Sequence, residues 1–232
     1  QVYKNMWLNP VFYKSVYEKI ALANANPRGE YLYSDLNLIL VQQMMETKTG
    51  STLDKMAKEI YSELGITKIG YNPLKWTSKD AIIPTEIDNF FRRDTIQGYV
   101  HDEAAAILGG VSGNAGLFAN AKSISVICQM LLNNGKYQGK QILKSKVIKQ
   151  FIKSPLAKEG IYRGLGFDKR KPDEFYQQNH FGHTGFTGTF FFINPDNNRF
   201  LIVLTNRVNP SRTNRLMYKD DFCPKIWKEI NN

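Results

Sequence analysis

The stretch from Phe181 to Val208 constrains the fold more than any other. It reads Phe181-Gly-His-Thr-Gly-Phe-Thr-Gly-Thr-Phe-Phe-Phe-Ile193, then Asn194-Pro-Asp-Asn-Asn198, then an apolar, β-branched run from Arg199 to Val208. Aromatic and β-branched residues on either side of an Asn/Pro/Asp turn predict two antiparallel strands, 181–193 and 199–208. A lone hairpin is marginal in water and must pack on something else. Helical patterning flanks it on both sides, so the expected class is α+β. The first strand opens on His183-Thr184-Gly185, an imidazole and a hydroxyl beside a residue with no side chain. That arrangement predicts close approach of a substrate to the backbone. The plainer alternative is a hydrogen-bonded strand histidine.

Upstream, Asn9-Pro10 reads as an N-cap with proline at the first helical position, opening a helix to about residue 24. Pro27-Arg28-Gly29 reads as a turn. Ser34 or Asp35 caps a helix whose apolar Leu36, Leu38, Ile39, Leu40, Val41, Met44 and Met45 predict burial on most sides, and Gly50 ends it. Ser51-Thr-Leu-Asp54 resembles a capping box starting a helix to about Glu63. Residues 66–100 show no sustained period, which inside a compact domain points to a functional segment. Further helices are expected over Ala121–Asn133 and Lys144–Phe151. A mostly helical tail is expected from Arg212 to Ile230, interrupted at Pro224.

Composition narrows the function classes. The 232 residues, 42% of them apolar, suffice for one large or two small domains. No apolar run approaches the roughly 20 residues that span a bilayer. The net charge is +10, but Lys and Arg are scattered and the densest cluster is Lys169-Arg170-Lys171. A solvated basic surface is expected rather than a nucleic-acid face. Cys128 and Cys223 have no metal spacing; Cys128 reads as a small core residue, and a disulfide between the two stays open. Gly110-x-x-Gly113-x-x-Gly116 is neither the dinucleotide fingerprint nor a P-loop, and reads as a tight, closely packed turn. His101-Asp102-Glu103 cannot all face one ion in regular structure, and His180 and His183 fall on opposite faces of the expected strand. No metal and no cofactor are expected. Tyr33-Ser34-Asp35 has two readings: a tyrosine base, were nearby cations to lower its pKa, or a capping Ser-Asp after a packed tyrosine.

Tyr33-Ser34-Asp35 followed by His183-Thr184-Gly185 resembles the penicillin-recognising serine hydrolases, a group of class C β-lactamases, DD-peptidases and β-lactamase-like esterases. Their second motif is Tyr-x-Asn, with Asp35 here at the Asn position. Their third is Lys-Thr-Gly, of which His-Thr-Gly is a variant. Gly113-Asn-Ala-Gly-Leu-Phe118 is similar to the segment before the following helix, and Asn209-Pro210-Ser211-Arg212 to the Asn-Pro-x-Arg region after the last strand. Pro84-Thr85-Glu86-x-Asp88, Gly98-Tyr-Val-His-Asp102 and Arg163-Gly-Leu-Gly-Phe-Asp168 are similar to members from Bacteroidetes envelopes, often fused behind a family 3 glycoside hydrolase.

The likeness runs from about Tyr31 onward. It implies a β-lactamase/transpeptidase-like fold, with 1–160 its mainly helical region and 161–232 the antiparallel strands and C-terminal helix of the same domain. It implies Tyr33 as general acid/base. Ser34, Asp35, His183, Thr184 and Gly185 would contact substrate, with Asp35 an acceptor only where asparagine also donates. His183 would stand in for the lysine that binds a substrate carboxylate, and Thr184 would hydrogen-bond substrate. A backbone N–H near Thr187 would serve the oxyanion hole, with Asn209 and Arg212 beside the substrate.

The family's first motif, Ser-x-x-Lys, supplies the nucleophile and its base. No serine here has a lysine three residues on; Ser145 and Ser154 have Lys149 and Lys158 four on. The expectation is a C-terminal part of a larger serine hydrolase, inactive alone. Its partners would be a missing N-terminal part bearing the nucleophile, and a small-molecule or peptide substrate of acyl transfer: a β-lactam, a D-alanyl peptide or a carboxylic ester. No nucleic acid and no transmembrane segment are expected. Periplasm or cell envelope follows from the resemblance alone. The competing reading is a non-catalytic peptide- or glycan-binding accessory module of a cell-envelope glycosidase.

Overall fold

Side-chain caps at Asn9, Asp102 and Asn120 mark the starts of three helices. The computed structural model describes residues 1–24, 27, 31–173, 176–219 and 222–231. The turn expected at Pro27-Arg28-Gly29 falls partly outside them. The chain divides into two compact units, residues 1–62 with 68–119, and residues 63–67 with 120–232.

In the first unit, helix α1 (Pro10–Ala21) starts where Asn9 Oδ1 accepts from the Val11 N–H at 3.1 Å. It packs on α2 (Leu36–Thr49), which ends at Gly50 in the left-handed conformation (φ 68°). The expected burial of α2 on most sides does not hold. Only Ile39 and Gln42 are buried, and Met44 is 70% exposed. Leu, Val and Met at nearly every position mark apolar surface without saying that a neighbour covers it. Helix α3 (Leu53–Glu63) begins differently from the capping box: its first N–H, at Leu53, is taken by Glu46 Oε1 of α2 at 2.8 Å.

The aperiodic region is ordered by buried charge. Strand β1 (Ile69–Tyr71) pairs antiparallel with β4 (Leu117–Ala119), and β2 (Ile87–Asp88) with β3 (Asp94–Thr95). Asp88, 2% exposed, accepts the N–H groups of Phe90, Phe91 and Arg92 at 2.9, 2.8 and 3.0 Å. Arg92 bridges to Asp88 and donates to the carbonyls of Val100, His101 and Asp102. Burial alone would raise the Asp88 carboxyl; the three N–H donors and Arg92 outweigh it and hold the group below the usual carboxylate range. Asp102 caps the short helix α4 (Glu103–Ile107) through the Ala105 N–H. Val2, Val100, Ala105 and Ala106 form the apolar core beside this network.

In the second unit, α5 (Ala121–Leu132) is capped by Asn120. The small hairpin of β5 (Lys136–Tyr137) and β6 (Lys140–Gln141) leads to α6 (Ser145–Ile152). The sheet is three-stranded, ordered β7 (Phe181–Gly185), β8 (Thr189–Asn194), β9 (Arg199–Leu204). The run 181–193, read above as one strand, is thus two. Gly188 in the left-handed region (φ 98°), with its N–H bonded to the Gly185 carbonyl at 3.0 Å, closes a turn inside it. The last strand also stops at Leu204, short of Val208.

Consecutive residues of Phe190-Phe-Phe-Ile193 go to opposite faces, and both faces are covered. Phe190 and Phe192 pack with Tyr176 and with Trp227 of α7 (Phe222–Asn231), while Phe181 and Ile193 pack with Cys128 of α5. Burying each such aromatic stabilises by roughly 2–3 kcal/mol. The mostly helical tail expected from Arg212 to Ile230 is helical in two pieces among the described residues: a 3₁₀ turn, Leu216–Tyr218, precedes α7. Pro224 falls in the first turn of α7, where no intrahelical N–H is needed, so nothing is interrupted. Both cysteines are free thiols.

Candidate active site

Each group of residues singled out above is placed within its own unit. In the first, Ser34 Oγ accepts from the Leu36 N–H at 3.2 Å, and the Asp35 carbonyl accepts from Leu38 and Ile39 as α2 begins. Asp35 is the N-cap residue, but its carboxylate makes no capping bond. Tyr33, two residues before that N-cap, is 60% exposed rather than buried.

The glycine-rich run is bound to the same helix. Buried Gln42 of α2 accepts from the Gly113 N–H at 2.8 Å and donates to the Val111 carbonyl at 3.2 Å. A Cβ on Gly113 would lie 2.2 Å from the Leu38 carbonyl oxygen, and one on Gly110 2.2 Å from Asn72 Oδ1. These glycines permit close packing, as expected. His101 Nε2 contacts Glu86 Oε2 at 2.9 Å in a buried pair. Among the described residues no group of three His, Cys, Asp or Glu is placed to hold a metal.

In the second unit, His183 and Thr184 lie on β7, an edge strand. Its first half is covered: Asp168 and Gly182 exchange N–H···O bonds at 2.7 and 3.0 Å. Beyond Gly182 the strand has no other strand neighbour than β8 among the described residues. Gly185 does not open the backbone to a ligand on its Cβ side, because a Cβ there would meet Thr189 Oγ1 of β8 at 2.4 Å. The glycine serves the β7–β8 contact. His180 precedes β7, with Nδ1 accepting from the Gln177 N–H at 3.1 Å and its ring edge-on to Trp227.

The imidazole of His183 is fixed at both nitrogens. Nδ1 lies 2.8 Å from the Thr184 carbonyl, which can only accept. Nε2 lies 3.4 Å from Arg163 Nη2, which can only donate. The neutral tautomer carrying its hydrogen on Nδ1 satisfies both contacts. Arg163, half-buried and held by Asp168 Oδ1 at 3.0 Å, supplies a positive charge beside the strand. Because Asp168 offsets that charge, an anion here would be recognised by directed N–H groups more than by net field.

Thr187 lies in the β7–β8 turn and is half-buried. Asn209 follows β9, its N–H on the Asn206 carbonyl at 2.8 Å, and Arg212 is half-buried in the next loop. Arg163 and Asp168 were missed as site residues. The available signal was an Arg and an Asp five apart across Gly164 and Gly166, a spacing at which a tight loop can fold the pair together.

Comparison with known proteins follows the same lines. The family model described as "Beta-lactamase" matches residues 5–222. A protein of Escherichia coli (strain K12) described as "Putative D-alanyl-D-alanine carboxypeptidase" is 35% identical over 201 residues, 78% of this chain and 46% of that protein. The crystal structure of a putative beta-lactamase from Bacteroides dorei DSM 17855 matches with TM-score 0.55 and 17% identity, covering 83% of this chain and 56% of that one. A penicillin-binding protein homologue from Caulobacter crescentus matches with TM-score 0.50 and 18% identity, covering 72% and 51%. The structural matches show the fold, β-lactamase/transpeptidase-like, of which this chain covers a part. The chain spans about half the length of the curated relatives it matches.

Proposed function

The chain belongs to the beta-lactamase family, within the penicillin-recognising serine hydrolases, and on that footing we propose that it carries the substrate-recognition half of an acyl-transfer site. The reaction is hydrolysis of an amide or ester bearing a carboxylate, with a D-alanyl peptide as the favoured substrate. The observation that carries this reading is the Arg163–His183 contact on the open part of β7. Directed N–H donors beside an unpaired strand edge suit an extended substrate ending in a carboxylate. The family relatives described as carboxypeptidases point the same way.

In this reading Tyr33 is the general acid/base, and its exposure leaves the hydroxyl able to reach a substrate. Ser34 and Asp35 follow it, Asp35 accepting from a substrate N–H or O–H and offering no donor to a substrate carbonyl. Arg163 holds the carboxylate with its guanidinium oriented by His183, Thr184 hydrogen-bonds the substrate, and an N–H near Thr187 stabilises the developing oxyanion. Asn209 and Arg212 border the leaving side. The serine and lysine of Ser-x-x-Lys lie outside residues 1–232, and the 232 residues alone do not turn over substrate. Residues 1–160 and 161–232 are read as two parts of one domain, and the setting as the cell envelope, in a polypeptide that also carries a family 3 glycosidase.

A serine-directed covalent probe tests the assignment in the longer polypeptide. Labelling is expected, slowed in Tyr33→Phe. An unlabelled parent polypeptide would refute acyl transfer and favour the accessory peptide- or glycan-binding role, which the lack of Ser-x-x-Lys in this chain supports.

A further inference from the structure

Three residues past the last strand lies a buried cation that the proposed reaction does not use. Arg207 is 7% exposed. Its guanidinium carbon sits 4.7 Å from the ring centroid of Phe186 and 4.7 Å from that of Tyr218, one ring from each side of the sequence around it. Nε donates to the Tyr218 hydroxyl at 3.1 Å, and Nη1 to the carbonyls of Asn214 at 2.7 Å and Arg212 at 3.4 Å. Nη2 is buried without a hydrogen-bond partner among the described residues.

Phe186 belongs to the turn that directly follows His183-Thr184-Gly185. The Arg207 stem also lies against that turn: a Cβ on Gly188 would fall 2.8 Å from Arg207 Cγ. Thr205 Oγ1 closes the same contact by donating to the Gly188 carbonyl at 2.7 Å. Arg207 thus touches the β7–β8 turn with its ring contact and stem, and the loop bearing Arg212 with its hydrogen bonds.

We infer that Arg207 is a positioning residue, a clamp that fixes the turn Phe186–Gly188 and ties it to the loop carrying Asn209 and Arg212. The inference rests on the reading that those two segments bind substrate. The chemistry argues against a packing role. A buried guanidinium with an unsatisfied corner and no carboxylate partner among the described residues gives little net stability, and an apolar side chain of like volume would fill the space as well. What an apolar chain cannot do is hold a half-exposed phenylalanine by its face while donating to two carbonyls of another loop.

The test uses the longer polypeptide with Arg207→Met and Arg207→Lys. Hydrogen exchange of the peptide covering 185–190 is expected to quicken about five- to thirtyfold in Arg207→Met. The thermal midpoint should stay within a few degrees. Acylation should slow by up to about 100-fold, in kcat rather than KM, because the turn is misplaced while the carboxylate contact is intact. Arg207→Lys keeps the cation between the rings and should recover part of both losses. Unchanged exchange at 185–190 overturns the clamp. So does a loss of activity that only tracks a lowered melting point, since that marks a structural residue. If Arg207→Met does not fold, Phe186→Leu and Tyr218→Leu remove one ring each and are read the same way. An unmodified polypeptide that never acylates refutes the proposed function but leaves the exchange result standing.

Discussion

Replacing Arg163 with glutamine tests the recognition of a carboxylate most directly. The change removes the positive charge and keeps an amide N–H near its place. A hydrogen bond to a charged group contributes about 1.5–3 kcal/mol against about 0.5–1.5 for a neutral one, so the expected loss is about 1–2 kcal/mol. Asp168, 3.0 Å from Arg163, already offsets part of the field, which keeps the figure at the low end. In kcat/KM this is about five- to thirtyfold. The assay compares a D-alanyl peptide with its C-terminal primary amide, in the polypeptide that carries Ser-x-x-Lys. Arg163→Gln should weaken turnover of the acid and leave the amide nearly untouched. Asp168→Asn should act in the opposite direction, since it removes a negative charge while sparing the backbone bridge to Gly182. Equal losses for acid and amide, or a fall in Asp168→Asn confined to the acid, would refute the assignment of charge to Arg163.

Four shorter predictions concern the scaffold. Asp88→Ala leaves Arg92 without its carboxylate and orphans three N–H groups, and should lower stability by about 3–5 kcal/mol in urea unfolding; a loss below 1 kcal/mol would mean that the network is ornamental. Because the folded Asp88 carboxyl is held below its unfolded value, its contribution is present above about pH 3.9 and fades as pH falls through the folded pKa, and the Asp88→Ala difference should shrink there in parallel. Gly182→Ala puts a Cβ 2.1 Å from the Phe191 carbonyl and should break β7–β8 pairing, seen as fast amide exchange across 181–185. The buried Cys128 thiol, pushed up to about 12 by burial, should resist iodoacetamide at pH 8 in folded protein, and rapid alkylation would contradict the core placement. The 232-residue chain alone should not open nitrocefin.

Helix starts were legible because their signals are local. Asn9-Pro10 at a start and Gly50 at an end act within a few residues, and no distant partner is needed to read them. The His-Thr-Gly strand and the Tyr-Ser-Asp helix start were legible for the same reason. The turn at Gly188 was hidden because aromatic and β-branched residues run through it, and only one left-handed glycine interrupts them. Residues 66–100 carried no period because their order comes from Asp88, Arg92, Glu86 and His101, which pair across loops. Arg163 and Arg207 escaped notice for a related reason. A cation's role depends on which ring, carbonyl or imidazole the fold brings to it; the glycines between Arg163 and Asp168 report their pairing but not the His183 contact, and no neighbour of Arg207 reports its rings.

Among the described residues strand β9 lies at the margin of its sheet, with α5 on one face and α7 on the other. Alternate peptide groups of Arg199–Leu204 point outward, away from β8. A helix or a greasy surface laid over them would strip their water and return no bonds, at a cost of a few kcal/mol for each group. Water, polar side chains or another extended chain can satisfy that row. A chain that added to this edge as a strand would have to enter in register, between two helices already in place.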